Sequence, residues 1–571
     1  MNLFDVQMYL IIKLLLVIFL IASFFIIYKK YQPIYFLILF GLISAISYAL
    51  FVNNLGLLLW GLQGDEVTIS AMYNNFASSG IFGSDFAFHQ LSSFYPPAFF
   101  WFFGQIGKLM SLNGVVIAKL ASITFFFSFP IVLYFFQKWI LSKNERFFNN
   151  DLPGKIFILL SPLLIMTILD KDVLIGKPYE VLAVGLSIFW FLGLYSAINT
   201  DKWGKAKALI YGLVAGLIFM LYYLWLIFAA LALLLLAFNQ DSKKIKLYFF
   251  RLFQTMLVAI VVAAPFLGPL FLDYWKFGME SWQTALFIPS GLDFWLPMFK
   301  SLSFINIFLL FGLGTMIYYR NNKFIKPLLY LFLTTFIWWA AGIILLLFFK
   351  KPFQEFRGFY ILAPSILSIT SAYGLERLWN YYGLAKKQSF YYLACVLATG
   401  LLASQAIFGF FIDDPAIKNR RVESRNIPAK IVNLSNYLQA DPQTSSKLTL
   451  QTIPQIMAFI PINNLLYYNQ HNNHPSAIFS KRYQYVQDLA DSSSAEELYK
   501  KIKLCPYGQL EQFIFHNPDQ AYYYLYFHVD KFIEGTEEQI IKFDKSLFSP
   551  DFFEIKYDSD NLVVIDIKVN N

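Results

Sequence analysis

Two carboxylates stand side by side in Gly64-Asp65-Glu66, just past an apolar run, where charge is costly unless it meets water or a partner. A carboxylate so placed has the chemistry to take the proton from a hydroxyl nucleophile. The other reading is a solvated loop pair, and spacing alone does not separate the two. Asp85, His89 and Tyr95-Pro96-Pro97 follow, the prolines making a rigid extended step into the apolar stretch 99–110. His89 is the only histidine before residue 471, and one histidine is not a metal site; a loop side chain is its simpler reading.

Two further polar stretches carry cations. One reads Asp170-Lys171-Asp172 and then Lys177-Pro178-Tyr179-Glu180. Glu180 opens the next apolar run, where a carboxylate favours a helix N-terminus, but that does not account for Lys177. The other holds Lys350, Lys351, Glu355 and Arg357. Ammonium and guanidinium groups neutralise phosphate oxygens, so these cations facing Asp65 and Glu66 would hold a lipid-linked phosphate while a carboxylate acts as base.

The elements that must position these residues are membrane helices. Apolar residues make up 58% of the chain and charged residues 14%, against roughly 25% charged in soluble domains. Runs near the 20 residues needed to span lipid lie at 9–28, 34–52, 112–136, 155–169, 179–198, 252–270, 303–319, 327–349, 359–378 and 391–412. The run 209–237 is long for one span and has lysines at both ends, so it reads as a hairpin of two short helices. This makes about twelve spans. The net charge of +9 comes from Lys/Arg clusters between runs, which the positive-inside rule explains without nucleic acid. The loops at 28–33, 137–155, 199–208, 239–251, 320–326 and 376–388 hold nineteen Lys/Arg, against eight in 61–111, 170–178, 271–302 and 350–358. The first set is therefore expected in the cytoplasm, and the second set, with both termini, outside. Lys350, Lys351 and Arg357 run against that rule. Residues 99–110 read as an interfacial helix on the outer leaflet.

From residue 413 the composition turns polar. Alternating stretches at 447–451, 521–527 and 562–568 read as strands, and 427–438, 483–489 and 495–502 as helices. The expected architecture is an all-α polytopic membrane domain over 1–412, with a first outer loop at 61–111, and an extracytoplasmic soluble α/β domain over 413–571. Cys395 lies in an apolar run and Cys505 in the tail, so no disulfide between them is expected.

Gly64-Asp65-Glu66, Tyr95-Pro96-Pro97 with Phe100-Trp101, Lys177-Pro178-Tyr179-Glu180, Phe356-Arg357-Gly358-Phe359, and Asn472-Asn473-His474-Pro475 with Arg482 together resemble the GT-C glycosyltransferases. Within them the pattern is similar to the arabinofuranosyltransferases that prime arabinan on the cell-wall galactan of mycobacteria and corynebacteria. Each motif is short; their order spans about 60–490. The resemblance implies inverting transfer of an arabinofuranosyl unit from a polyprenyl-phosphate carrier to a cell-envelope glycan hydroxyl, outside the plasma membrane. It implies Asp65 as general base with Glu66 in support, and Arg357, Lys350, Lys351 and Lys177 on the carrier phosphate. Asp85, His89, Tyr95, Glu180 and Glu355 would line the substrate cavity. The composition, rich in Lys, Asn, Phe and Ile, departs from the actinobacterial members, which leaves acceptor and sugar open.

No cofactor is required by this reading, because side-chain cations alone can meet the leaving phosphate. Asp65, Glu66 and Asp85 are the oxygen ligands available if a divalent ion is used, and His471 and His474 have ligand spacing without an evident third partner. A second reading keeps the fold and transfers mannose or aminoarabinose to protein, lipid or exopolysaccharide. A lipid-linked saccharide transporter would carry its charges near the bilayer midplane, whereas these spans are nearly free of ionisable residues.

Overall fold

The computed structural model describes residues 3–568 except 30–31, 60, 63, 80–82, 170, 201–202, 281–296, 300–302, 351–353, 355, 383–398, 401–402, 404–413, 442 and 532–534. Asp170, Lys351, Glu355 and most of the run 391–412 thus lie outside the described residues. The helices are α1 Leu3–Tyr28, α2 Pro33–Val52, α3 Asp65–Ser78, α4 Ala98–Met110, α5 Gly114–Lys143, α6 Glu145–Phe148, α7 Lys155–Ile168, α8 Lys171–Gly176, α9 Pro178–Ile198, α10 Lys205–Tyr222, α11 Leu224–Ala237, α12 Ser242–Phe277, α13 Phe304–Tyr318, α14 Ile325–Phe349 and α15 Ala363–Tyr381. Eight described helices are long and apolar enough to cross a membrane, and a ninth forms if the bent pair Glu145–Asp151 and Lys155–Ile168 is one span. α11 and α13 are shorter apolar helices.

Side-chain contacts show how the chain alternates between two faces. Trp225 donates to the Glu180 carbonyl and Trp190 to the Tyr211 carbonyl, so α10 runs antiparallel to α9. Phe228 meets Trp338 and Asn239 donates to Tyr330, so α11 runs antiparallel to α14. Added Cβ atoms at Gly212 and Gly216 would strike Val258 and Val262, which makes α10 parallel to α12 in close helix contact. The chain therefore reverses at Tyr222–Leu224, and 209–237 is the expected hairpin. The face that holds Glu180 and Trp225 also carries the C-terminal domain; it is called the domain face below. α4 begins and ends there: Tyr95 before it touches Tyr179, and Gly114 after it lies against Ser70 and Ala458. It lies across that face with Phe99, Phe100 and Phe103 buried and Leu109 and Met110 exposed.

Two expectations need correction. Residues 65–78 lie inside the first polar stretch yet form α3, a buried helix with Ile69, Met72, Tyr73 and Phe76 at helical spacing. Its weak overall hydropathy hid it, because both of its sides are covered by protein and not by lipid. The run 252–270 is the middle of α12, whose 36 residues extend about 54 Å, well beyond a hydrocarbon core of roughly 30 Å. The extra turns reach the first outer loop, where Asp273 Oδ2 accepts from the Ser92 N–H at 2.8 Å and its hydroxyl at 2.6 Å, and the C-terminal domain, where Ser476 donates to the Gly278 carbonyl.

The C-terminal domain starts with the helix Pro415–Glu423; its buried Arg421, and the half-buried Arg425 just after it, pair with Asp5 of α1, and Arg421 also donates to the Phe51 carbonyl at the end of α2. The start of α1 thus shares the domain face. The strands are β1 Leu448–Gln451, β2 Asn463–Asn464, β3 Leu510–His516, β4 Tyr522–Lys531, β5 Gly535–Asp544, β6 Phe553–Ser559 and β7 Leu562–Ile567. β1 pairs in parallel with β2 and β3; β3 also pairs antiparallel with β4 and β7, β4 with β5, and β7 with β6. Helices Phe479–Ala490 and Ala495–Lys503 bury Val486, Leu489, Leu498 and Ile502 on one sheet face, against Phe513, Phe515, Leu525, Phe527 and Val563. Helix Ala429–Ala440 covers part of the other through Tyr437 on Tyr557. The α/β expectation holds, with β2, β3, β5 and β6 added to the strands read from alternation.

Candidate active site

The turn that delivers Asp65 needs glycine. Gly64 has φ 59° and ψ −132°, a conformation essentially restricted to residues without a Cβ. It sets Asp65 and Glu66 in the first turn of α3, where the helix dipole favours anions. α8 and the proline-started α9 meet at Lys177, whose Nζ lies 3.0 Å from Asp65 Oδ2. The Asp65 side chain is 52% exposed, so the pair opens to solvent. Burial by the surrounding walls would raise the Asp65 carboxyl, but Lys177, together with His471 and Arg357, holds the group below the usual carboxylate range.

One turn into α9, Glu180 is fully buried, and Arg357 Nη1 lies 3.5 Å from its Oε2 with 15% of the arginine side chain exposed. Arg357 immediately precedes a wide π turn, Gly358–Leu362, in which Gly358 lies so close to Thr335 that a Cβ would overlap it. Such turns recur at functional positions. Gln354 steadies the arginine by accepting from its Nε, while Trp338 donates to the Gln354 carbonyl at 2.9 Å. Tyr95 and Tyr179 touch through their hydroxyls at 3.1 Å, and both rings meet Tyr222. Arg357 and His471 are near enough to act electrostatically on Asp65. Asp65, Lys177, Glu180, Arg357 and Tyr95 therefore form one charged cluster at the domain face.

Other expected site residues stand apart from it. Glu66 turns into a separate small pocket with Tyr48, Tyr73, Ser122 and Ile175; burial, with Asp65 beside it, pushes its carboxyl up to about 7. Asp85 is fully buried, and its Oδ1 accepts from the Ala87 and Phe88 N–H groups at 2.9 and 3.1 Å. Burial lifts it to about 7 against those hydrogen bonds, and its task is to shape the loop, not to line the cluster. His89 is held at the seam with the C-terminal domain, its backbone N–H donating to Asn463 at 3.0 Å. Lys350 ends α14 as an exposed left-handed cap, φ 52°.

The C-terminal domain supplies residues that the sequence did not assign to the site. Asn472 donates to Thr68 at 3.1 Å, one turn after Asp65, and His471 precedes it. Tyr222 and Tyr223, two hydroxyls inside an apolar hairpin, join Tyr95 and Tyr179 in the aromatic wall. His474 accepts from the Ser476 N–H at Nδ1 and bonds the Ser92 carbonyl through Nε2, both at 3.0 Å. Burial keeps His471 and His474 near pKa 4. Arg482 is clamped between Phe88 and Tyr507 and donates to the Leu465 carbonyl, a packing role. Among the described residues no three His, Cys, Asp or Glu converge; Asp65, Glu66 and Asp85 are directed to Lys177, to a separate pocket and to backbone N–H groups.

No protein-family model and no curated protein matches the sequence. Among solved structures, ArnT from Cupriavidus metallidurans bound to undecaprenyl phosphate aligns over 90% of this chain and 98% of its own, at 12% identity and a TM-score of 0.53. The same protein in its apo state aligns with a TM-score of 0.50 at 12% identity, over 92% of this chain and 97% of its own. The arabinofuranosyltransferase AftD from Mycobacteria aligns over 92% of this chain and 40% of its own, at 10% identity and 0.46. A polytopic helical body with charged side chains gathered on one face beneath a C-terminal α/β domain, aligned over nearly the whole of both chains with ArnT, shows that this chain shares the fold of that membrane protein.

Proposed function

We propose that the protein is an inverting glycosyltransferase that moves a sugar from a polyprenyl-phosphate carrier to a glycan hydroxyl. The observation that carries this is the Asp65–Lys177 pair beside the buried Glu180–Arg357 pair. The undecaprenyl phosphate bound by ArnT, which shares the fold, supports the carrier class. Lys177 and Arg357 bind the carrier phosphate, and Glu180 holds Arg357 in place. As the phosphate draws Lys177 away, Asp65 loses the cation that depresses its pKa and becomes a better base. The acceptor oxygen then attacks the anomeric carbon, its proton passes to Asp65, and the carbon–oxygen bond to the phosphate breaks. The leaving polyprenyl phosphate gains charge, which the two cations stabilise.

Arabinofuranose is the sugar to which the motif pattern points, and a cell-envelope glycan is the acceptor class. The charge distribution supports a domain face outside the plasma membrane. The test incubates purified protein with radiolabelled polyprenyl-phosphate arabinose and candidate glycans, alongside Asp65→Asn. Transfer lowered by about a hundredfold or more in the variant is expected; equal turnover removes Asp65 as base. Transfer from a mannose or aminoarabinose carrier, and none from arabinose, moves the enzyme to that sugar.

A further inference from the structure

β4 alternates strictly: Tyr523, Leu525 and Phe527 enter the domain core, and Tyr522, Tyr524, Tyr526 and His528 occupy the opposite face. An antiparallel sheet normally presents polar side chains on its solvated face. Here three tyrosines stand in a row, Tyr522 39% exposed and the next two half-buried. Their partners across β5 are Asp544, Lys542 and Ile540, all exposed. The rings are held in place. Tyr524 donates to Asp519 and lies under Lys542, Tyr526 abuts His516 at 4.9 Å, and the Tyr524 and Tyr526 planes differ by 17°.

Ring contacts through buried Tyr468 and Tyr467 link the row to the candidate active site. His528 meets Tyr468 at 5.5 Å, Tyr468 meets Tyr467 at 4.9 Å, and the Tyr467 hydroxyl lies 3.4 Å from Thr68, one turn from Asp65. From His528 to Tyr522 the strand covers about 20 Å, room for several sugar rings. Fixed aromatic faces suit the apolar C–H faces of sugars, and the carboxylates and ammonium at the rim suit their hydroxyls. Both signs of charge occur along the row, which fits an uncharged chain better than a polyanion.

We propose that this face of the C-terminal domain binds the acceptor as an extended, uncharged oligosaccharide and leads its end toward Asp65. The inference rests on the transferase reading, but its test does not need turnover. Full-length protein in nanodiscs, without donor, is titrated with linear hexasaccharides of glucose, mannose, galactose and arabinose, and saturation transfer to the sugar protons is read by NMR. At least one series is expected to bind, and Y522T/Y524T/Y526T to weaken it about tenfold or more. Thr keeps the strand propensity, and the triple Phe variant, which preserves stacking, is expected to retain most of the binding and so controls for folding. Absence of binding in all four series, or equal binding by the Thr variant, overturns the proposal. Quenching of these tyrosines by brominated lipids also overturns it, since the face would then rest on the bilayer.

Discussion

The Glu180–Arg357 pair allows a sharp prediction. Two unit charges 3.5 Å apart interact by about 5 kcal/mol at an effective dielectric of about 20. Arg357 keeps 15% of its side chain exposed and has tyrosine hydroxyls around it, so the measurable coupling is smaller, about 2–3 kcal/mol. Glu180→Gln leaves the shape of the site but strands a largely buried guanidinium, and Arg357→Met strands a carboxylate that is wholly buried. Each single variant is expected to lose about 3 kcal/mol of stability. The double variant is expected to lose clearly less than their sum, because no buried charge is left unpaired. Unfolding by denaturing detergent reads this cycle. Transfer rates give a second reading: Arg357→Met and the double variant should be equally slow, by about 100-fold or more, if Glu180 acts only by holding Arg357. Additivity of the two stability losses within about 0.5 kcal/mol would refute the coupling, and a double variant much slower than Arg357→Met would refute the holding role.

Other expectations follow from single residues. Glu66 has its carboxyl raised from 4.5 to about 7 by burial, so ionising it opposes folding: stability should fall as pH rises from about 4.5 through 7, and Glu66→Gln should flatten that slope in unfolding measurements. Gly64→Ala, at φ 59° and ψ −132°, should cost about 1–3 kcal/mol and displace Asp65, lowering transfer although a methyl group there meets no neighbouring atom; unchanged kinetics would show that this turn does not position the acid. Asp5→Asn leaves Arg421 buried without its anion and should lower the stability of the whole chain by about 3–5 kcal/mol, read as a lower unfolding midpoint with the C-terminal domain more readily cleaved.

The membrane helices were legible because lipid imposes a length and a composition on each segment independently of the rest. Even the hairpin at 209–237 could be read from excess length and flanking lysines. Charge against the expected orientation singled out Arg357, and adjacency singled out Asp65. α3 escaped this reading because its surroundings are protein on both sides, a condition that no local property of residues 65–78 records. The same limit applies to the cluster. Lys177, Glu180 and Asp65 are drawn together with Arg357 from segments nearly 300 residues apart in the chain, and residue type alone could not say that Glu66 and Asp85 would turn elsewhere while their neighbours converge. Sequence alone thus determined the solvent of each segment and the kinds of charge at its ends. Which of those charges pair was decided only by tertiary packing, since the desolvation that makes a pair matter depends on what the rest of the chain places around it.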